Sequence, residues 1–583
     1  MSGLQRTQRD PPFNDALYGH AAPPSLQTNI AYALRLPPEI LRAVLDIHVA
    51  ICQHPTVRST WTWIRITHVC RAWRAVAQEY PKLWQRIVLP CPLPYLHSSI
   101  HLSRTLPLDI LLAEHCARGA TISRPAWDAI ITQLGRIRGI DLFTKELRLV
   151  GDSEEPDHET PYLHAPVPAP IIARHLHYLT VCVNEWNHIR RLMRRIKAAP
   201  HLRSLKLTWN RNVWPVVKKF RHSLFELRII WRSKDGHKSI ALYNKSELRE
   251  VMDGLRPLSE RLRQLEIPCF FTGANSDEHG HDLHLPQLRA LVLTGSLLSC
   301  ATLLAHIILP HMTEIAIIAI LHTRGDRDAA ASLGVSIPKL LGGDPQRRRD
   351  PQQLRAITFE EFGKPNGRQL NVSGCTDLTS ARPQSVEYRT KFKIQFPSHP
   401  NIFRDFVRHL PLAHLEILAV VNVGKHHIDD LTKFVRALET VEELVLGDCT
   451  LGWAARVLQP EINGQCPLPR LRILHLVWNE LLQFCPRQSM TPECGECLHL
   501  LGHALAARKA LGHELQQLNF AGTTMPDESH WEAFLEMDLD DMVVACNVKY
   551  SSASPATAKN LATAKGAVLG LTVAEEAGRS HEE

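Results

Sequence analysis

Leu285-Pro286-Gln287-Leu288-Arg289-Ala290-Leu291-Val292-Leu293 contains a leucine, a second three residues later and a third two residues after that. The last two alternate, so they face one side of a short strand, while the first closes the preceding turn. The same frame, with Ile, Val, Phe or Met allowed, recurs at Leu176-Leu179-Val181, Leu202-Leu205-Leu207, Leu224-Leu227-Ile229 and Leu262-Leu265-Ile267. It continues at Met312-Ile315-Ile317, Leu354-Ile357-Phe359, Leu415-Leu418-Val420, Val441-Leu444-Leu446, Leu471-Leu474-Leu476 and Leu515-Leu518-Phe520. Several copies share a preceding proline and an internal basic residue, as in APHLRSLKL (199–207) and LPRLRILHL (468–476).

Apolar stretches of helical character, Ile189 to Ala198, Leu298 to Leu309 and Ile428 to Leu438, lie between successive frames. A strand, a turn and one returning helix cannot close a core alone, whereas stacked neighbours can. Frame starts at 176 and 202, and at 262, 288 and 312, fall at the spacing that resembles leucine-rich repeats, which run 20–29 residues. The longer interval from 312 to 354 predicts inserted loops or a degenerate copy, and most frames lack the asparagine of the regular repeat. A doubly wound sheet would carry a glycine-rich phosphate turn or a catalytic strand end, and neither is present. The expected fold class is α/β: a small helical domain followed by an irregular leucine-rich-repeat solenoid with a parallel sheet. The expected divisions are a flexible segment at 1–30, a helical domain at 31–90, the repeats at 91–545 and a disordered tail at 546–583.

The helical domain begins at Leu36-Pro37-Pro38-Glu39. Proline in a first helical turn loses no hydrogen bond, and an acidic residue there faces the positive end of the dipole. Ile40, Leu41, Val44, Leu45 and Ile47 follow at helical spacing. A second helix is predicted from about Trp61 to Gln78, with Ile66, Val69, Cys70, Trp73, Val76 and Ala77 recurring at three- and four-residue steps and Pro81 ending it. Leu83 and Trp84 add a further anchor. Neither helix is long enough to stand alone, so the two must pack together, leaving apolar surface for a partner.

The strings LPPEILRAVLDI (36–47) and ITHVCRAWRAVAQEYPKLWQRIVL (66–89) resemble an F-box of the variant found in large fungal F-box families. Three landmarks stand in order: the leading Leu-Pro with Glu-Ile, the Val-Cys-x-x-Trp segment at Val69 to Trp73, and Pro-x-Leu-Trp at Pro81 to Trp84. The resemblance covers about 55 residues, and His48 to Thr62 departs from it. Leu102 to Ile110 and Leu134 to Ile140 look like the segments that follow the F-box in those families. The resemblance implies docking on a Skp-type adaptor of a cullin ubiquitin ligase, through Leu36, Pro37, Glu39, Ile40, Leu41, Val44, Val69, Cys70, Trp73, Leu83 and Trp84. A protein substrate would then be held by the repeats. A scaffold that no longer recruits a ligase is the alternative, motivated by the departure at His48 to Thr62.

Composition narrows the other classes. The chain has 583 residues, 44% hydrophobic and 22% charged, enough apolar content for a large core. Its net charge is 67 − 59 = +8, mild and dispersed, so no nucleic-acid partner is expected. The triple arginine 347–349 in GGDPQRRRDP (342–351) is too short for a basic patch and reads as a solvated loop, as does Asn366 to Gln384. Fourteen scattered cysteines and no secretory leader point to free thiols in the cytoplasm or nucleus. Ala301 to Leu321 is apolar but holds His306, Pro310, His311 and Glu314, so it reads as a buried helix, a turn and a strand rather than a membrane span.

Phosphate-loop, dinucleotide, nucleophile-elbow and zincin motifs are absent. Cys485, Cys494, Cys497 and His499 include one Cys-x-x-Cys knuckle but lack the second pair that tetrahedral zinc needs, so a loop of reduced thiols is expected. The 32 histidines are dispersed, and Glu360-Glu361 and Asp429-Asp430 are neighbours whose side chains diverge. No catalytic residue, cofactor or metal is expected, and the chain reads as a non-enzyme.

Overall fold

The computed structural model describes residues 36–52, 62–112, 121–143, 148–150, 169–182, 192–208, 213–230, 248–270, 282–310, 313–321, 326–342, 353–362, 369–376, 392–421, 427–447, 451–461, 463–478, 493–522 and 543–550. The chain is mixed α/β, with a large, mostly parallel sheet, and divides into two units, Met1–Leu202 and Arg203–Glu583. Residues 1–30 and 551–583 lie outside the described residues.

In the first unit, α1 (Pro38–Cys52), a 3-10 turn at Thr62–His68, α2 (Arg71–Glu79) and a second 3-10 turn at Pro81–Trp84 precede β1 (Arg86–Leu89). The single helix predicted over 61–78 is broken at Val69–Cys70. Cys70 adopts extended backbone, φ −158° and ψ 174°, and its Sγ accepts from the Trp73 amide, capping α2. After α3 (Leu93–Leu102) come β2 (Leu108–Leu112), β3 (Thr121–Ser123), α4 (Arg124–Thr132), β4 (Ile137–Phe143), β5 (Arg148–Val150), β6 (Ile171–Ile172), β7 (Tyr178–Cys182) and β8 (Ile196–Ala198). Strands β1, β2, β4 and β7 pair in parallel in that order. The segments Leu102–Ile110 and Leu134–Ile140 thus enter neighbouring strands.

The second unit carries the repeat frames on β9 (Ser204–Thr208), β10 (Glu226–Ile230), β11 (Gln264–Cys269) and β13 (Ala290–Ser296), with a short β12 at Leu283–His284. Helices α5 (Val213–Lys219), α6 (Leu248–Leu255) and α7 (Leu297–Ala305) alternate with them, and β14 (Ile307–Ile308) leads to β15 (Glu314–Leu321). Ala301 to Leu321 therefore runs as helix, turn and strand. No helix among the described residues is long and apolar enough to cross a membrane.

The frame sets the register. Leu205, Leu227, Leu265, Leu291 and Ile315 stand opposite one another on consecutive strands, and all five are buried. Alternate residues of each strand face the helices, and equal spacing from turn to leucine puts equivalent leucines in one row.

The interval from 312 to 354 holds a strand and a helix, and an antiparallel excursion follows in the interval from 354 to 415. After α8 (Asp326–Gly342), β16 (Ala356–Phe362), β17 (Gln369–Cys375) and β18 (Phe392–Pro397) form an antiparallel excursion. β18 rather than β16 pairs with β15, and β16 resumes the parallel order beside β19 (Ile417–Val421). The loop expected over 366–384 is corrected accordingly: residues 369–375 are a strand, with Leu370 and Val372 buried between Gln369, Asn371 and Ser373. The next row along the strands, which passes from Leu293 to Ile317, stays apolar across the detour through Ile394, Val372, Phe359 and Val420. Beyond it lie α9 (Pro400–Val407), α10 (Ile428–Arg436), β20 (Glu443–Gly447), α11 (Leu451–Leu458), β21 (Ile473–Trp478), α12 (Glu493–Ala510), β22 (Leu515–Gly522) and β23 (Val543–Tyr550). Strands β19 to β23 pair in parallel in sequence order. Residues 546–550, expected in the tail, complete the last strand because β22 pairs with them through Tyr550.

Candidate docking surface

Helix α1 has two apolar faces. Leu41, Leu45, Val49 and Cys52, at steps of four, four and three, are buried, and the last three pack with Trp63, Ala77, Leu83 and Trp84 in one cluster. The Trp63 and Trp84 rings meet edge-on with centroids 5.1 Å apart, and Trp84 Nε1 donates to the Ala77 carbonyl at 2.8 Å. Tyr80 then ties α1 to the end of α2 by donating to Asp46 Oδ2 at 2.8 Å.

The other face runs through Ile40, Ile47 and Ile51, at steps of seven and four, with Ala43, Val44 and Ala50 between them. Ile40, Ile47 and Ile51 are 49%, 62% and 61% exposed, and Val69, two residues before α2, is 56% exposed. A helix with one face in a core normally turns polar residues outward. Here the outward stripe is as apolar as the inward one. Leaving three isoleucines and a valine in water forgoes about 1.5–3 kcal/mol for each side chain that a partner could bury.

The residues anticipated for adaptor contact divide between these faces. Leu41, Trp73, Leu83 and Trp84 are buried and hold the unit together. Pro37, Glu39, Ile40 and Val69 are exposed, while Leu36, Val44 and Cys70 are half-buried. Pro37 positions the helix start, its carbonyl accepting from the Leu41 amide at 3.1 Å. Sequence reasoning missed Trp63 in the core and Ala43, Ala50 and Ile51 on the outer stripe, and it read Ile47 only as part of the helix's apolar pattern. The signal was present: two apolar series offset by one residue along the same helix require two partners. Of the departing segment His48 to Thr62, residues 48–52 continue α1 and 53–61 lie outside the described residues.

The cysteines singled out by the sequence are not shown to gather at one site. Cys494 and Cys497 lie on α12 instead of the expected loop, Cys485 lies outside the described residues, and His499 is exposed. Among the described residues no three His, Cys, Asp or Glu side chains are placed to share a metal. Glu361, Ser398 and His427 form a polar cluster in which Ser398 donates to Glu361 Oε1 at 2.8 Å and lies 2.6 Å from His427 Nε2. The serine hydroxyl is directed at the carboxylate, whereas a serine nucleophile is activated by handing that proton to an imidazole. Glu360 is exposed and Glu361 buried, diverging as adjacent strand residues do.

Next to the helical cluster, Arg136 reaches the carbonyl of Ile100 at 2.7 Å and Ser103 Oγ at 2.8 Å. Arg138 Nε donates to Asp109 Oδ1 at 3.0 Å and Tyr178 Oη donates to the same oxygen at 3.0 Å. Burial, and then the Asp109 charge, push the Tyr178 phenol well above its ordinary range. These residues fix the entry of three strands.

No protein-family model matches the chain, and none of the curated proteins compared with it matches either.

Proposed function

We propose that the chain is the substrate-receptor subunit of a Skp/cullin/F-box-type ubiquitin ligase, an irregular leucine-rich-repeat solenoid headed by an F-box-like helical segment. The observation that carries this reading is the second apolar face of α1, Ile40, Val44, Ile47 and Ile51, with Val69 beside the helix that follows. A Skp-type adaptor would cover it, and the adaptor would bring the cullin. The solenoid reading is supported by the shared register of the Leu-x-x-Leu-x-Leu frames across successive parallel strands. The chain would contribute proximity, and transfer of ubiquitin would belong to its partners.

Co-purification of the full chain with a Skp-type adaptor tests the reading. Adaptor recovery is expected from the native chain and expected to vanish on Ile47→Glu with Ile51→Glu. Undiminished recovery overturns the assignment. Adaptor capture without ubiquitin transfer to any bound protein would favour the ligase-independent scaffold.

A further inference from the structure

We infer that the N-terminal edge of strands β9, β10, β11 and β13 binds an extended acidic protein segment. This deepens the reading of the repeats as the partner-holding surface and makes no use of the adaptor.

In each frame one residue follows the first leucine and precedes the strand. Backbone hydrogen bonds join these residues into consecutive rungs: the Phe225 amide donates to the Arg203 carbonyl at 2.9 Å, Arg263 to Phe225 at 2.7 Å and Arg289 to Arg263 at 2.7 Å. The rungs thus read Arg203, Phe225, Arg263, Arg289, with all three arginines exposed. The Arg263 guanidinium lies over the Phe225 ring, 5.1 Å from its centroid. Stacking uses the face of the guanidinium and leaves its in-plane N–H groups directed outward, suited to a carboxylate.

The same position later in the chain is neutralised. There the rungs read Arg355, Glu416, Glu442, Arg472 and Gln516, two arginines against two glutamates. Arg355 grips Glu416 through two bonds of 2.8 and 2.5 Å. Among the described residues no carboxylate pairs with Arg203, Arg263 or Arg289. One architectural position is therefore charge-balanced in one stretch and left cationic in another, and the missing acid would come from outside the chain.

Spacing favours an extended peptide. Four neighbouring strands at about 4.8 Å span about 14 Å, which an extended segment crosses in four or five residues with same-side side chains about 6.7 Å apart. Two or three carboxylates at alternate positions match that span. The basic row is also only one residue deep. Glu226, held by Arg228 at 2.5 Å, and the exposed Glu314 occupy the next positions along the strands. A continuous polyanion such as nucleic acid would meet those acids, whereas discrete carboxylates on a peptide need not.

The probe is a short fluorescein-labelled peptide alternating glutamate with serine, titrated into the full-length chain and read by fluorescence anisotropy. Binding is expected that weakens with added salt and falls at least about tenfold in the triple variant Arg203→Gln, Arg263→Gln, Arg289→Gln. Arg472→Gln, at the same position in the balanced stretch, should leave it unchanged. These exposed substitutions should keep the far-UV circular dichroism and melting temperature of the native chain. No binding to the native chain, equal binding to the triple variant, or displacement by single-stranded oligothymidylate at equal charge concentration would each overturn the proposal. None of these outcomes depends on whether the adaptor binds.

Discussion

The ring of Tyr178 lies across Gly139, its register partner on the neighbouring strand, so closely that a Cβ at position 139 would sit 1.8 Å from Tyr178 Cζ. The bare backbone of Gly139 lets the ring lie flat and carry its hydroxyl to Asp109 at 3.0 Å, where Arg138 also donates. Gly139→Ala forces the ring off the strand and breaks that bond, costing about 2–4 kcal/mol. Tyr178→Phe keeps the packing and leaves Asp109 with Arg138, costing about 1 kcal/mol. Denaturant unfolding of the two variants should rank them in that order. A harmless Gly139→Ala would show that the ring has other room.

Alkaline pH should loosen the first unit. Burial pushes the Cys91 thiol up to about 12 and, helped by Asp109, raises the Tyr178 phenol as well. A group whose folded pKa is raised contributes stability that is fully present below its unfolded value, about 8.5 for a thiol and 10 for a phenol, and lost as pH rises through the folded value. Stability should therefore be level in these two groups up to about pH 8 and decline between about pH 9 and 12. Urea midpoints across that range check this, with Cys91→Ser and Tyr178→Phe each flattening the slope. Native Cys91 should also resist alkylation at pH 8, read by mass spectrometry of the intact chain.

Much of the repeat region was legible because its pattern is short-range. Leu288, Leu291 and Leu293 announce a turn and a strand within six residues, and identical frames must then share a register. The antiparallel excursion was not legible, since Gln369–Cys375 and Phe392–Pro397 alternate without a leading leucine and their pairing with β15 and β16 is a long-range choice. In the N-terminal helical segment the landmarks Leu36-Pro37, Trp73 and Trp84 marked the place but did not separate core from surface. Apolar residues at helical spacing look alike whether they face a core or a partner, and only packing separates Leu41 from Ile40.

The two faces of α1 should respond oppositely to substitution. Leu45 is fully buried, so Leu45→Ala opens a cavity and costs about 2–5 kcal/mol, lowering the melting temperature and, through it, every binding activity of the unit. Ile51 is exposed, so Ile51→Ser should change stability by no more than about 0.5 kcal/mol while weakening capture of the adaptor proposed to cover it. Thermal melts paired with pulldowns read both. Equal loss of stability in the two variants would show that the outer stripe is packed against this chain.

Arg508 near the end of α12 is 1% exposed and finds carbonyls rather than a carboxylate. Its guanidinium donates to the carbonyl of Pro467, to that of Leu468 at 3.0 Å, and reaches Cys466 Sγ at 3.2 Å, while burial lowers its pKa. These bonds hold the turn at Leu468, whose φ of 51° is unfavourable for a side chain with a Cβ. Arg508→Met fills similar volume and removes a buried charge, but it takes the guanidinium from the Pro467 carbonyl, leaves that of Leu468 with the Leu471 amide alone at 3.0 Å, and releases the turn before β21. The expected net cost is about 2 kcal/mol, since each unmet acceptor costs about 1–3 kcal/mol and the lost desolvation offsets part of it. Arg508→Lys should not restore stability, because one ammonium cannot span the carbonyls that the planar fork reaches. Denaturant midpoints of the three chains decide the matter, and a Met variant as stable as the native chain would show that the turn holds without its arginine.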